Sequence, residues 1–274
     1  MTMKKSVSER IIELITIIAS FIIIVPLLIM IFGSFKSQVE ASLFNINIPT
    51  QWHLENFLFV IEKGKIMQAF MNSLLVTVSS TLIGVCLSAM TGFIISRRNT
   101  KATKKMYTYF LVGMIAPLQI ITTYAVLKTF GLSGSFLGII LIYISINLPF
   151  NIFLFTSFIT GIPKEIDEAA IVDGCGLYRM FFAIIFPLLK PVIATSIVIF
   201  AMNVWNDFQL PLYFLSSSEK WTMPLTVYNF YGQYYSSWNY VFADMILTAL
   251  PILLVYLFAQ KYIVSGMTSG AVKG

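Results

Sequence analysis

Apolar residues fall into six long runs, at about 11–35, 70–96, 106–130, 136–160, 192–215 and 241–264, separated by shorter polar stretches. A helix needs about 20 mostly apolar residues to cross the hydrocarbon core of a bilayer, so each run is long enough to be a span. The pattern predicts an all-α polytopic membrane protein of about six transmembrane helices, forming one domain over residues 1–274. The first run also invites reading as a secretory leader, whose apolar core would be about 7–15 residues followed by a small-residue cleavage site. This run is longer and ends in Ile31, Phe32, Gly33, Ser34 and Phe35, which predicts an uncleaved helix.

Within the runs, the polar and small residues carry their own periodicity. Ser80, Gly84, Ser88 and Gly92 recur every fourth residue and share one stripe, a spacing that lets helix backbones approach closely in lipid. Pro26, Pro117, Pro149, Pro211 and Pro251 place a proline in each of the other runs. Each removes a backbone hydrogen bond and tends to kink its helix, as plain shape or as a hinge. The stretch at 36–69, with Pro49, Trp52, His53 and Glu55, reads as an external loop with a short surface helix. Another external loop, at 216–240, is rich in aromatic residues, which suits either the interfacial belt or contact with a partner or sugar.

The basic residues sit at the ends of the runs. Assigning the basic loops to the inside groups Lys4, Lys5, Arg10, Arg97, Arg98, Lys101, Lys104, Lys105, Lys164, Arg179, Lys190, Lys261 and Lys273. It leaves Lys36, Lys63, Lys65, Lys128 and Lys220 outside. The positive-inside bias then puts both termini in the cytoplasm of a bacterial cell.

One charged stretch, residues 161–191, lies between the fourth and fifth runs on that cytoplasmic side. Pro163 suits a first helical turn, and Glu165, Asp167 and Glu168 sit where the positive end of the helix dipole favours carboxylates. Ala169 and Ala170 leave a smooth patch, and Gly174 suits the left-handed backbone that ends a helix. A second short helix, at about 177–185, is expected to stop at Pro187. The stretch reads as a rigid knob on the membrane surface.

Composition narrows the function. The chain is 58% hydrophobic and 11% charged, too few charges to clothe a water-facing surface, since soluble proteins carry about 25%. The net charge of +6 is spread over span ends rather than along one stripe, which argues against nucleic acid as a partner. Cys86 lies in an apolar run and Cys175 in the charged loop, so a disulfide is not expected. One histidine, His53, and no cluster of ligands or nucleophile–base pair argue against a metal site or an enzyme. No G-x-x-x-x-G-K-[ST] loop is present, so the chain is not expected to bind ATP itself.

Polar side chains inside spans usually face the bundle interior. Tyr143, Asn147 and Asn151 share one face of the fourth span, and Asn203, Asn206 and Asp207 one face of the fifth. Gln119, Thr122 and Thr123 follow Pro117 in the third. At 1.5 Å per residue, Asn203 lies about 20 Å from the cytoplasmic entry near Lys190. Gln119, Tyr143, Asn147, Asn203 and Asn206 are the candidate pore or substrate residues, against hydrogen bonding between helices as the structural alternative. Neutral amides both donate and accept, which suits a hydroxyl-rich neutral solute; Asp207 is equally a capping residue.

Glu168-Ala169-Ala170, then Gly174, Ile184, Phe186 and Pro187, in that spacing, resemble the EAA loop of ABC-importer permeases, with Phe186 where the family has Leu. The segment NVWNDFQLPLYFL at 203–215 and the ending QKYIVSGMTSGAVKG at 260–274 resemble the carbohydrate, maltose-type members of that family. The resemblance implies the type I importer fold with a cytoplasmic coupling helix, and alternating access driven by ATP hydrolysis in partner subunits. It implies that Glu168, Ala169, Ala170, Gly174, Ile184 and Pro187 dock an ATP-binding subunit. The cytoplasmic tail at 265–274, through Ser269, Gly270 and Lys273, would touch those subunits too. It further implies two copies of the ATP-binding subunit, a second related permease subunit that makes most sugar contacts, and an extracytoplasmic sugar-binding protein. A permease for an amino acid, peptide or phosphate, and an ion-coupled secondary transporter, stay open as alternatives.

Overall fold

The structure, a computed structural model, describes residues 7–232 and 236–271, and of 7–11, 259 and 261–271 the backbone alone. Among the described residues the regular structure is helical, with one isolated antiparallel bridge between Tyr231 and Ser236. The helices, in order, are α1 (Val7–Ser34), α2 (Gln38–Ala41), α3 (Glu55–Lys63), α4 (Ile66–Arg97), α5 (Lys101–Ile115), α6 (Ile120–Thr129) and α7 (Phe136–Thr160). They continue with α8 (Glu165–Val172), α9 (Leu177–Arg179), a π-helical turn at Met180–Ile185, α10 (Phe186–Leu188), α11 (Lys190–Trp205), α12 (Gln209–Phe214) and α13 (Trp238–Ala271).

Four helices are long and apolar enough to cross a bilayer whole: Ile12–Ser34, Ile66–Arg97, Phe136–Thr160 and Trp238–Phe258. Leu177–Leu188 with Lys190–Trp205, bent by 79°, adds a fifth if the pair is one span. Large apolar side chains such as Ile22, Ile23, Ile115 and Ile121 stand exposed. Water would penalise that surface and lipid does not.

Two of the six expected spans are not continuous. The third breaks between α5 and α6 at residues 116–119. Pro117 drives Ala116 out of the helical region, to φ −70 and ψ 119, because the proline ring crowds the preceding residue. The fifth breaks at residues 206–208, between α11 and α12. In the charged stretch, the helix expected to stop at Pro187 runs on to Leu188 and turns at Leu189, since Pro187 is tolerated at the start of a fresh turn. Pro163 lies just ahead of α8, whose N-cap is Lys164, rather than within its first turn. At the C-terminal end, α13 continues to Ala271, so the expected tail is helical that far; Lys273 lies outside the described residues.

Contacts divide the chain into two compact units, Met1–Gln68 with Thr226–Leu250 and Ala69–Leu225 with Pro251–Gly274. In the first, Asn56 is buried and donates to the carbonyls of Ser34 at 2.9 Å and Lys36 at 3.0 Å. It accepts from Asn239 Nδ2 at 3.0 Å. Lys36 is buried as well, its ammonium held by the carbonyl and side-chain oxygens of Asn45 at 3.0 and 2.8 Å. The expected external loop is therefore ordered by buried polar contacts.

In the second unit α7 is central, packing against α5, α11 and α12. The small stripe on α4 faces this core. Ser80 and Ser88 are fully buried and turn their hydroxyls back onto the carbonyls of Val76 and Gly84. Gly84 lies against the ring of Phe200 and Gly92 against Phe155, both completely buried. A polar side chain on that stripe thus bonds within its own helix and leaves the surface smooth for packing.

Candidate functional site

Antiparallel α7 and α11 bring their polar faces together. Tyr143 Oη donates to Asp207 Oδ2 at 3.0 Å, and Asn203 Nδ2 donates to Asn147 Oδ1 at 3.2 Å. Further along, Ser196 Oγ donates to Asn151 Oδ1. Asn147 and Asn151 also donate back to the carbonyls of Tyr143 and Asn147, at 2.9 and 2.8 Å, which fixes both amides. Asp207 spends its other oxygen on the N–H groups of Gln209 and Leu210, at 2.9 and 3.4 Å, so it both caps α12 and pairs across to α7.

This seam lines a cavity of about 460 Å³ formed by Tyr143, Ile146, Asn147, Met202, Asn203, Asn206, Asp207 and Leu210. Four of the five expected pore residues therefore meet in one place. Gln119 does not join them. It is exposed in the break ahead of α6, where its side chain caps nothing. Thr122 and Thr123 line a separate, mostly apolar cavity of about 570 Å³ with Leu118, Phe130 and Ile142. Asn151 faces Ser196 rather than the cavity. The apolar part of the lining, Ile146, Met202 and Leu210, carried no polar signal that would mark it in the sequence.

The charged stretch folds as α8 followed by a Schellman turn. Gly174 takes φ 75, its N–H bonds the carbonyl of Ile171 at 3.0 Å, and the N–H of Cys175 bonds that of Ala170 at 2.9 Å. The expected docking residues point in different directions. Glu168, Ala169, Gly174 and Pro187 are exposed, whereas Ala170 is buried and Ile184 packs against the core. Around the turn, Ile171, Val172, Leu177 and Tyr178 expose large apolar side chains. A cleft of about 230 Å³ runs between α8 and the end of α4, lined by residues that include Ile94, Arg98, Lys164, Glu168 and Leu177. Ser269 and Gly270 fall in the last turns of α13, and Cys86 and Cys175 are both free.

Arg97 was marked in the sequence only as a topology signal. Its guanidinium reaches Asp167 in α8, with Nε 2.5 Å from Oδ2 and Nη2 donating to Oδ1 at 3.4 Å. The Nε–H does not point along its short line, so that contact is charge attraction rather than an aligned hydrogen bond. Arg97 Nη1 donates to the carbonyls of Ile159 and Ile162, at 3.3 and 3.1 Å, where α7 ends.

Comparison with known proteins places this arrangement. The model of the family described as binding-protein-dependent transport system inner membrane component matches residues 84–269. A "Probable starch degradation products transport system permease protein" of Thermoanaerobacterium thermosulfurigenes is 32% identical over 98% of this chain and 99% of its own. A multiple sugar-binding transport system permease protein of Streptococcus mutans is 34% identical over 93% of this chain and 94% of its own. Among solved structures, a chain of a bacterial ABC transporter involved in the import of the acidic polysaccharide alginate superposes with a TM-score of 0.80. It does so at 20% identity, over 95% of this chain and 99% of that one, so it shares the fold. The chain belongs to the family of binding-protein-dependent transport system inner membrane components.

Proposed function

We propose that the chain is a membrane-embedded permease subunit of an ATP-driven importer for a neutral sugar or oligosaccharide. The observation that carries the substrate class is the cavity between α7 and α11. Its polar groups are a tyrosine hydroxyl, three amides and one carboxylate, with no lysine or arginine among them. Amides and hydroxyls match a solute rich in hydroxyl groups. The carboxylate opposes an acidic one, unlike the alginate carried by the structural neighbour. The names of the sugar-carrying relatives, matched over nearly the whole chain, support the same reading.

The mechanism is coupling rather than catalysis. α8 with its Gly174 turn docks on the ATP-binding subunit from the cytoplasm, offering Glu168 and Ala169 together with the exposed Ile171, Val172, Leu177 and Tyr178. Two such subunits close on ATP, and their movement switches the side to which the cavity opens. A second permease subunit completes the pathway, and an extracytoplasmic binding protein delivers the sugar. Both termini, and the end of α13 around Ser269 and Gly270, face the cytoplasm. Any ligand drives such a switch only through unequal affinity for its two states.

The test is uptake in liposomes containing the full complex and its binding protein. Labelled maltotriose, raffinose and arabinotriose are offered alongside a labelled oligogalacturonate. Uptake of a neutral oligosaccharide that needs ATP supports the proposal. Uptake that survives ATP depletion and follows a proton gradient would refute it, and preference for the uronate would refute the substrate class.

A further inference from the structure

The linker between α7 and α8, residues 161–164, contains Gly161 and Pro163 and no regular helix, and covalent continuity alone would transmit little force. Ile166 and Ala170 pack α8 against the core around the π-helical turn, and Arg97 supplies the polar connection to the ends of α4 and α7. From the last position of α4 it holds Asp167 in the first turn of α8 and the carbonyls of Ile159 and Ile162 where α7 ends. The side chains of Arg97 and Asp167 are only 10% and 12% exposed, whereas Lys63–Glu62 forms its ion pair at the surface. Burying a charge pair costs desolvation on both sides, and an apolar pair of similar volume often serves stability as well. Geometry is what this pair offers. A planar guanidinium with several donors joins three chain segments at one point, which neither a lysine nor an apolar contact would do.

α7, at the other end of that link, carries Tyr143 and Asn147 into the cavity. Resting on the docking role proposed for α8, we infer that Arg97 is the positioning residue through which displacement of α8 reaches α7 and so the sugar cavity. The Arg97–Asp167 pair makes α8 part of the rigid bundle, and a push on its exposed face moves the cytoplasmic end of α7 with it. Without the pair, α8 still docks and keeps its apolar packing on the π-helical turn, but it loses its hold on the end of α7, and ATP is hydrolysed without moving solute.

The experiment uses the complete transporter in liposomes, with whichever oligosaccharide of the panel above the wild-type complex takes up. Arg97→Gln, Asp167→Asn and the double variant are compared for retention of the ATP-binding subunits, ATP hydrolysis and solute moved per ATP. The double variant removes both charges and leaves no buried charge unpaired, which guards against a loss that is only misfolding. All three variants are expected to retain the ATP-binding subunits as the wild type does and to lose roughly tenfold in solute moved per ATP. The loss in the double variant equals that in either single one, because one link is cut in each case. An unchanged ratio, or losses that add in the double variant, would overturn the role of Arg97 while leaving docking intact. A wild-type complex that never retains an ATP-binding subunit would overturn the docking reading itself, and this inference with it.

Discussion

The Tyr143 hydroxyl donates to the Asp207 carboxylate at 3.0 Å, joining α7 to the break between α11 and α12 at the rim of the polar cavity. Tyr143 is buried, whereas Asp207 also holds the N–H groups of Gln209 and Leu210. Removing the hydroxyl therefore breaks this one link and leaves the bonds onto the start of α12, and the Asn147–Asn203 and Asn151–Ser196 pairs, in place. Tyr143→Phe is expected to lower neutral-sugar uptake about tenfold, the worth of one hydrogen bond to a charged group. Binding of the ATP-binding subunits should not change. Asp207→Asn removes the negative charge from the cavity. It should raise uptake of an oligogalacturonate relative to a neutral oligosaccharide by roughly tenfold, as expected for one charge at close range in a protein environment. Uptake assays with the two labelled sugars in competition read both effects.

Gly174 takes φ 75, and a methyl group built there would meet nothing within 4 Å. Any penalty for a side chain is thus backbone strain, not collision. Gly174→Ala should weaken the end of α8 by about 1–2 kcal/mol, the cost of the left-handed region for an L-residue. Gly174→Asn should cost less, because asparagine tolerates that region, and Gly174→Val most. Transport per bound complex should follow the same order. Hydrogen exchange at the N–H groups of Gly174 and Cys175, which close the turn onto Ile171 and Ala170, reports the strain directly.

Asn56 satisfies two carbonyls and one amide in a buried place, those of Ser34, Lys36 and Asn239. Asn56→Ala strands all three, and each buried orphan costs about 1–3 kcal/mol. Asn56→Asp is expected to be no better, since an ionised carboxylate only accepts and would face two carbonyl oxygens. Thermal unfolding of the purified protein should show both variants well below wild type. Asn239→Ala, which strands one acceptor, should fall between.

What could be read from the sequence follows from which forces act locally. The limits of α7 were legible because Ser135 caps it, accepting from the Gly138 N–H at 3.0 Å, and Gly161 ends it. Tyr143 and Asn147 were legible as one polar face because helical period alone places them there. The left-handed turn at Gly174 was legible because few other residues take it without cost. Pairings between helices were not. Nothing in the spacing joins Asn151 to Ser196, or Arg97 to Asp167, since those contacts depend on how spans far apart in sequence pack. The break in the third run was hidden for a related reason. Pro117 predicts a kink, but the opening of residues 116–119, which takes Gln119 away from the cavity, depends on what surrounds the break.

Gly84 and Gly92 lie on one stripe of α4, yet they should respond differently to the same substitution. A methyl group at Gly92 would come within 2.8 Å of Phe155 Cβ and 3.1 Å of the Thr156 backbone nitrogen. Those atoms are fixed by α7 itself, so the helices must separate. At Gly84 the collision, at 2.4 Å, is with Cε2 of Phe200, the far end of a ring that turns about its own side-chain bonds. Both alanine variants are expected to destabilise by about 1–3 kcal/mol, with Gly92→Ala at the upper end. The decisive difference is rescue. Phe200→Leu shortens the obstructing side chain and should recover much of the stability lost in Gly84→Ala. Phe155→Leu keeps Cβ and backbone where they are and should recover little in Gly92→Ala. Detergent-solubilised thermal unfolding of the four single and two double variants measures this. Equal rescue at both sites would mean that α4 and α7 are not in backbone contact at Gly92.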